Sequence, residues 1–179
     1  MWGTDMTTTV TTDEGQVCVF VAVDHCTAEC IGIHASVSGN RFEALEPIRQ
    51  GVREHFGGFE REIASGLAIR HDHGSAYMSD DFQQELAFLG MTSSPSFVRE
   101  PEGNGVAERF IRTLKENLLW VRHFATVAEL VDALQEFRRR YNEQWLIERH
   151  GFRTPAQARS DRSRPGSERE MAPTGRRVG

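Results

Sequence analysis

Val17-Cys18-Val19-Phe20-Val21-Ala22-Val23 is an unbroken apolar run with no polar face. It is far too short for a membrane span, which needs ~18 or more apolar residues. Its length and β-branched content suit a strand buried on both faces, so the fold must supply packing layers above and below it. Trp2 to Thr12 alternates loosely and is rich in Thr and Val, which predicts a strand before it. Asp13-Glu14-Gly15-Gln16 reads as the turn between them, and Glu29 to Ser36 as a third strand. Three strands joined by short turns predict an antiparallel meander.

Helices and short strands then alternate. Asn40 is placed to cap a helix reaching about Phe56, with Phe42, Leu45, Ile48 and Val52 inward and Gly57-Gly58 as its stop. Leu67 to Arg70 predicts a short strand with Asp72 just beyond its end. Ser79 or Asp80 caps a second helix carrying Phe82, Leu86 and Leu89 inward, and Met91 to Ser94 predicts another strand. Ser96 to Gly103 reads as a loop, Asn104 to about His123 as a helix, and Val127 to Asn142 as another, with Leu130, Leu134 and Phe137 inward. Thr154 to Arg159 predicts a last helical turn. The architecture expected is α/β, a mixed sheet with helices on its faces. The core is expected over residues 1–159, and 160–179, rich in Arg, Ser, Gly and Pro, is expected to be a disordered basic tail.

In that layout Asp5 falls on a central strand, Asp72 at the end of its neighbour and Glu108 on a packed helix, with 35 residues between the last two. Three carboxylates that meet repel, by about 4 kcal/mol per pair at ~4 Å and an effective dielectric near 20. Such a cluster holds a proton or a cation. All-oxygen ligands suit a hard ion, Mg²⁺ or Mn²⁺, and a pair of such ions suits phosphodiester hydrolysis or transfer. Asp5, Asp72 and Glu108 are therefore the candidate catalytic and metal-binding residues. On a helical wheel Glu108, Arg112 and Lys115 share one face, within about 60° of each other, while Phe110, Leu114, Leu118 and Val121 share another. Lys115 and Arg112 are thus candidate phosphate contacts, although a solvated i, i+4 ion-pair ladder gives the same pattern.

The formal net charge is -5. It divides unevenly. Residues 1–98 hold 5 basic and 14 acidic residues, and residues 99–179 hold 16 basic and 12 acidic. A phosphate-binding surface must come largely from the second part. No basic segment followed by an apolar stretch opens the chain, and Cys18, Cys26 and Cys30 make an odd number of thiols, which together predict a reduced, cytoplasmic protein. His25, Cys26, Cys30 and His34 lack the paired spacing of common zinc modules and are read as structural. Asp24 is read as a turn cap, Trp2 as a packing residue, and His71 and His73 as loop or surface residues.

Trp2-Gly3-Thr4-Asp5-Met6-Thr7, Asp72-His73-Gly74-Ser75-Ala76-Tyr77 and Gly103-Asn104-Gly105-Val106-Ala107-Glu108-Arg109-Phe110-Ile111-Arg112-Thr113-Leu114-Lys115 resemble the integrase core of DDE transposases. The match is to the insertion-sequence OrfB type, related to retroviral integrases. Val21-Ala22-Val23-Asp24 and Thr154-Pro155 resemble further landmarks of that family. The resemblance covers about residues 2–159. It implies an RNase H-like fold with a five-stranded mixed sheet, two Mg²⁺ (or Mn²⁺) ions held by Asp5, Asp72 and Glu108, and cleavage that frees a DNA 3′-OH, followed by strand transfer. It also implies DNA contact by Lys115 and Arg112, with Asn104 and Tyr77 as candidates either to support the metal-binding residues from behind or to position DNA. The partners implied are element ends and target DNA, further copies of the chain on that DNA, and no membrane. The setting implied is the bacterial cytoplasm, at the nucleoid when DNA is bound.

Relatives of this type carry a helix-turn-helix region before the core, and the first Asp segment here lies at the start of the sequence. The expectation is a helix-turn-helix supplied by a missing N-terminal region or a partner. Two alternatives compete with a working transposase core. One is a truncated, non-catalytic remnant that binds DNA or a transposase; the other is an RNase H-like nuclease.

Overall fold

The computed structural model describes residues 1–96 and 104–163. Most of the expected Ser96–Gly103 loop and residues 164–179 of the expected tail lie outside them.

The meander forms as expected: β1 (Trp2–Thr11), β2 (Gly15–Asp24) and β3 (Cys30–Ser36) pair antiparallel. Two short strands, β4 (Ala68–His71) and β5 (Thr92–Pro95), add parallel to the other edge of β1, giving the order β3-β2-β1-β4-β5. β1 is therefore the central strand. The helices are α1 (Arg41–Phe56), α2 (Asp80–Phe88), α3 (Gly105–Leu114), α4 (Val127–Gln144) and α5 (Pro155–Ser163). α5 runs past residue 159.

The apolar run of β2 divides by strand alternation. Val17, Val19, Val21 and Val23 pack with Phe110, Leu114, Leu134 and Phe137 of α3 and α4. Phe20 and Ala22 pack on the opposite face with Leu45 and Ile48 of α1 and Phe82 and Leu86 of α2. All six of these β2 residues are fully buried. Burying a side chain of this size contributes roughly 1.5–3 kcal/mol, so both layers depend on this strand. Trp2 is buried against the α1 layer, as read from the sequence.

Asn40 caps α1 through hydrogen bonds from the Phe42 and Glu43 amides, and Gly57 ends it in the left-handed region. Phe42, expected inward, is 49% exposed. It lies about 60° or more off the Leu45–Ile48–Val52 stripe, and Ala44 fills the buried position instead.

The Glu108 helix departs from expectation more sharply. After Leu114 the backbone enters a π turn, Lys115–Leu119, instead of continuing as α-helix to His123. One residue is thereby inserted into the turn. The buried position passes from Leu118 to Leu119, while Val121, expected inward, is 68% exposed.

Candidate active site

Alternation on β1 decides where Asp5 points. Trp2 faces the α1 layer, so Asp5, three residues on, faces α3; its cross-strand partner Val21 belongs to that same layer. The Asp5 carboxyl is half-buried, and burial pushes its pKa up to about 6. Met6 N–H, which donates to Oδ1 at 2.8 Å, opposes the rise; the charges of Asp72 and Glu108 add to it, and Lys115 again opposes it. The structure thus brings Asp5, Asp72, Glu108 and Lys115 into one electrostatic field. Arg112 does not join them. It is 78% exposed and pairs with Glu116 at 2.9 Å, one turn along the helix.

Asp72 lies just past β4, where its Oδ1 accepts from Gly74 N at 2.7 Å. The loop is held from behind by His71, which is fully buried and not at the surface as expected. His71 belongs to β4 and shares a face with Ile69, which explains the burial. Its Nδ1 lies 2.6 Å from the Asp72 carbonyl and its Nε2 2.8 Å from Ser93 Oγ. A carbonyl only accepts, so Nδ1 carries the proton and Nε2 accepts from Ser93. Burial lowers the His71 pKa, which keeps this neutral form.

Two of the expected DNA-positioning residues are internal. Tyr77 is 3% exposed, stacks on His71 at 5.7 Å, and turns its buried hydroxyl toward the Thr4 side chain. Asn104 is 6% exposed and donates from Nδ2 to the Thr4 carbonyl at 3.0 Å. Neither side chain offers a surface for direct DNA contact.

Asp24 accepts from Cys26 N, Thr27 N and Thr27 Oγ1, closing the β2–β3 turn as a cap. His34 pairs with Glu43 at 2.6 Å, and Cys30 is buried. Among the described residues, the three potential ligands that lie within 4.8 Å of one another are Glu29, Glu54 and His55. Arg159 and Arg138 already pair with the two carboxylates of that cluster. The Asp5, Asp72 and Glu108 oxygens do not close to that distance. Their donor set still fits a hard divalent cation: it is all carboxylate, and its most buried member is strained as an anion.

Residues 89–155 match the integrase core domain family. The fold agrees. The catalytic core of BIV integrase superposes with a TM-score of 0.63 at 19% identity, over 90% of this chain and 95% of that one. The HTLV-2 integrase catalytic core domain, solved in complex with magnesium, gives 0.62 at 19% identity, over 88% and 93%.

The fold is that of an integrase catalytic core.

In sequence, the chain is 27% identical over 137 residues to the putative transposase InsD for insertion element IS2E of Escherichia coli, covering 76% of this chain and 62% of that protein. It is equally similar to Transposase InsD for insertion element IS2A/D/F/H/I/K of Escherichia coli, where it covers 45%. The chain thus spans about half the length of the curated relatives it matches. The sheet order and helix layers are those of the RNase H-like integrase cores. No described helix of the core is long and apolar enough to cross a membrane.

Sequence reading missed several residues that shape the site. His71 was recoverable by extending the Ile69 alternation one residue. Gly3 gave no local signal for its part, since the atoms a Cβ there would meet, Asn104 Oδ1 and His25 Nε2, come from other elements.

Proposed function

We propose that this core is a DDE-type polynucleotidyl transferase that cleaves DNA to free a 3′-OH and joins that end to target DNA. Asp5, Asp72 and Glu108 would hold two divalent ions, Mg²⁺ or Mn²⁺. The observation that carries this reading is the placement of Asp5 on the central strand of an integrase-like sheet, within the electrostatic reach of Asp72, Glu108 and Lys115. Bound there, the ions supply charge neutralisation at phosphorus and a lowered pKa for a nucleophilic oxygen.

The chain's own groups supply position. In cleavage a water oxygen forms a bond to phosphorus as the bond to the 3′ oxygen breaks; in transfer that 3′-OH replaces an oxygen of the target strand. Each exchange makes one P–O bond and breaks one. Lys115 presents a cation beside Asp5 for the non-bridging oxygens. Asn104 fixes the start of α3, and hence Glu108, against the strand that bears Asp5. His71 holds the backbone of Asp72.

Element ends and target DNA are the substrates in this reading. Further copies of the chain and a helix-turn-helix module, in this protein or a partner, complete the assembly in the bacterial cytoplasm. The test is transfer of a labelled oligonucleotide bearing a pre-cut 3′ end into plasmid, with Mg²⁺ or Mn²⁺. Wild type should give joined product, and Glu108→Gln should lose it by at least about a hundredfold. Equal product from both would refute the reading.

A further inference from the structure

A cavity of about 510 Å³ opens beside the first turn of α3, and Arg109, the residue after Glu108, lines it. The size is typical of small-molecule sites, which run from about 300 to 1,000 Å³. Phe110 and Tyr141 form its floor, meeting edge to face at 4.8 Å. Val106 and Ile147, both partly buried, form its walls. Arg109 and Arg149 line it as well, close enough to Tyr141 for both charges to act on its hydroxyl. Trp145, 37% exposed, continues the aromatic row from Tyr141 at 6.1 Å.

These walls and cations ask for different things. Arginines without a carboxylate partner within 4.0 Å among the described residues favour an anion. Among the described residues Arg149 donates to the His25 carbonyl, at 3.0 Å, and meets no carboxylate there. The aromatic floor and aliphatic walls favour a flat apolar face. Stacked duplex DNA offers phosphates but hides its base faces; an unpaired nucleotide offers both. We propose that this cavity receives one unpaired nucleobase beside the phosphodiester held at Glu108, with Arg109 and Arg149 on the flanking phosphates. This rests on the strand-transfer reading of the neighbouring carboxylates.

The experiment compares a labelled oligothymidylate with an abasic tetrahydrofuran oligomer of equal length, binding the full chain in EDTA by fluorescence anisotropy. Wild type should bind the thymidylate about tenfold more tightly, as stacking of a single base allows. Val106→Trp and Ile147→Trp, each filling the cavity, should abolish that preference, and Arg149→Glu should weaken both oligomers. Equal binding of the two oligomers by wild type overturns the proposal. So does an unchanged preference in both Trp variants once circular dichroism shows them folded. Loss of self-association in Val106→Trp with the base preference intact would make the cavity a contact between copies and overturn it as well. Strand transfer is scored separately on wild type with metal: transfer without base preference fails the cavity alone, and base preference without transfer fails the catalytic reading alone.

Discussion

Asn104 Nδ2 donates to the carbonyl of Thr4 at 3.0 Å, joining the first turn of α3 to the central strand one residue before Asp5. An Asn at a helix start ordinarily turns its side chain onto its own helix. Here it makes no cap hydrogen bond and spends its amide on β1. The approach depends on Gly3, where a Cβ would lie 2.6 Å from Asn104 Oδ1 and 2.4 Å from His25 Nε2. The distance between Asp5 and Glu108 is thus set by a contact between two other residues.

Removing that amide should loosen the site more than the fold. Asn104→Ala should cost about 1–2 kcal/mol of stability, as for one buried hydrogen bond. Strand transfer should fall at least about tenfold at temperatures where the variant is fully folded, because small misplacements at a reacting centre are expensive. Gly3→Ala should act the same way by pushing Asn104 aside. Transfer at the wild-type rate in both variants would disconnect Asn104 from the site.

β3 and α1 touch through backbone. A Cβ on Gly32 would lie 2.0 Å from the Pro47 carbonyl oxygen, and no rotamer change relieves a clash with backbone. Gly32→Ala should force α1 off the sheet, at a cost of at least about 3 kcal/mol in denaturant unfolding. Gly57, at φ 77 with open space around it, provides the contrast. Gly57→Ala should cost only about 1–2 kcal/mol, the penalty of left-handed backbone alone. Equal penalties at the two positions would contradict the packing argument.

Glu29 should make stability depend on pH. Its side chain is 5% exposed; Oε1 meets Arg159 at 3.1 Å, and Oε2 is buried without a hydrogen bond among the described residues. Burial pushes its pKa from 4.5 up to about 7, with Arg159 and Arg138 pulling down and Glu54 and Asp24 pushing up. The folded chain therefore binds this proton more tightly than the unfolded chain. The group's contribution is most favourable below pH ~4.5, falls as pH rises to about 7, and is constant above. Glu29→Gln keeps an acceptor for Arg159 and removes the titration. Relative to wild type, it should gain roughly 2–3 kcal/mol between pH 4.5 and 8. A stability difference that does not change with pH would show that Glu29 ionises normally.

The parts of this fold that follow from local pattern were legible in the sequence. The β2 run demanded two layers, the short turns gave the meander, and Asp5, Asp72 and Glu108 then fell on a central strand, a strand end and a packed helix. Non-local choices left no such trace. Nothing near Asn104 indicates that its amide reaches Thr4, a hundred residues away in sequence. Nor does the α3 sequence mark where the backbone adds a residue, so a regular 3.6-residue wheel misplaces everything after Leu114.

Two cations that the wheel had paired stand in different surroundings. Lys115 stands at the start of the π turn, half-buried, with its charge acting on Asp5, whereas Arg112 is exposed and held by Glu116. A cation committed to an exposed carboxylate gains little by moving to phosphate, while one beside the half-buried Asp5 is poised to meet it. Lys115→Ala should weaken DNA binding and reduce the slope of log affinity against log salt by about 0.9, the loss of one phosphate contact. Arg112→Ala should leave both affinity and slope within about twofold of wild type. Binding isotherms of a short duplex at several salt concentrations, with each variant, measure both quantities. A larger loss of slope in Arg112→Ala than in Lys115→Ala would reverse the assignment and place the phosphate track on the outer face of the helix.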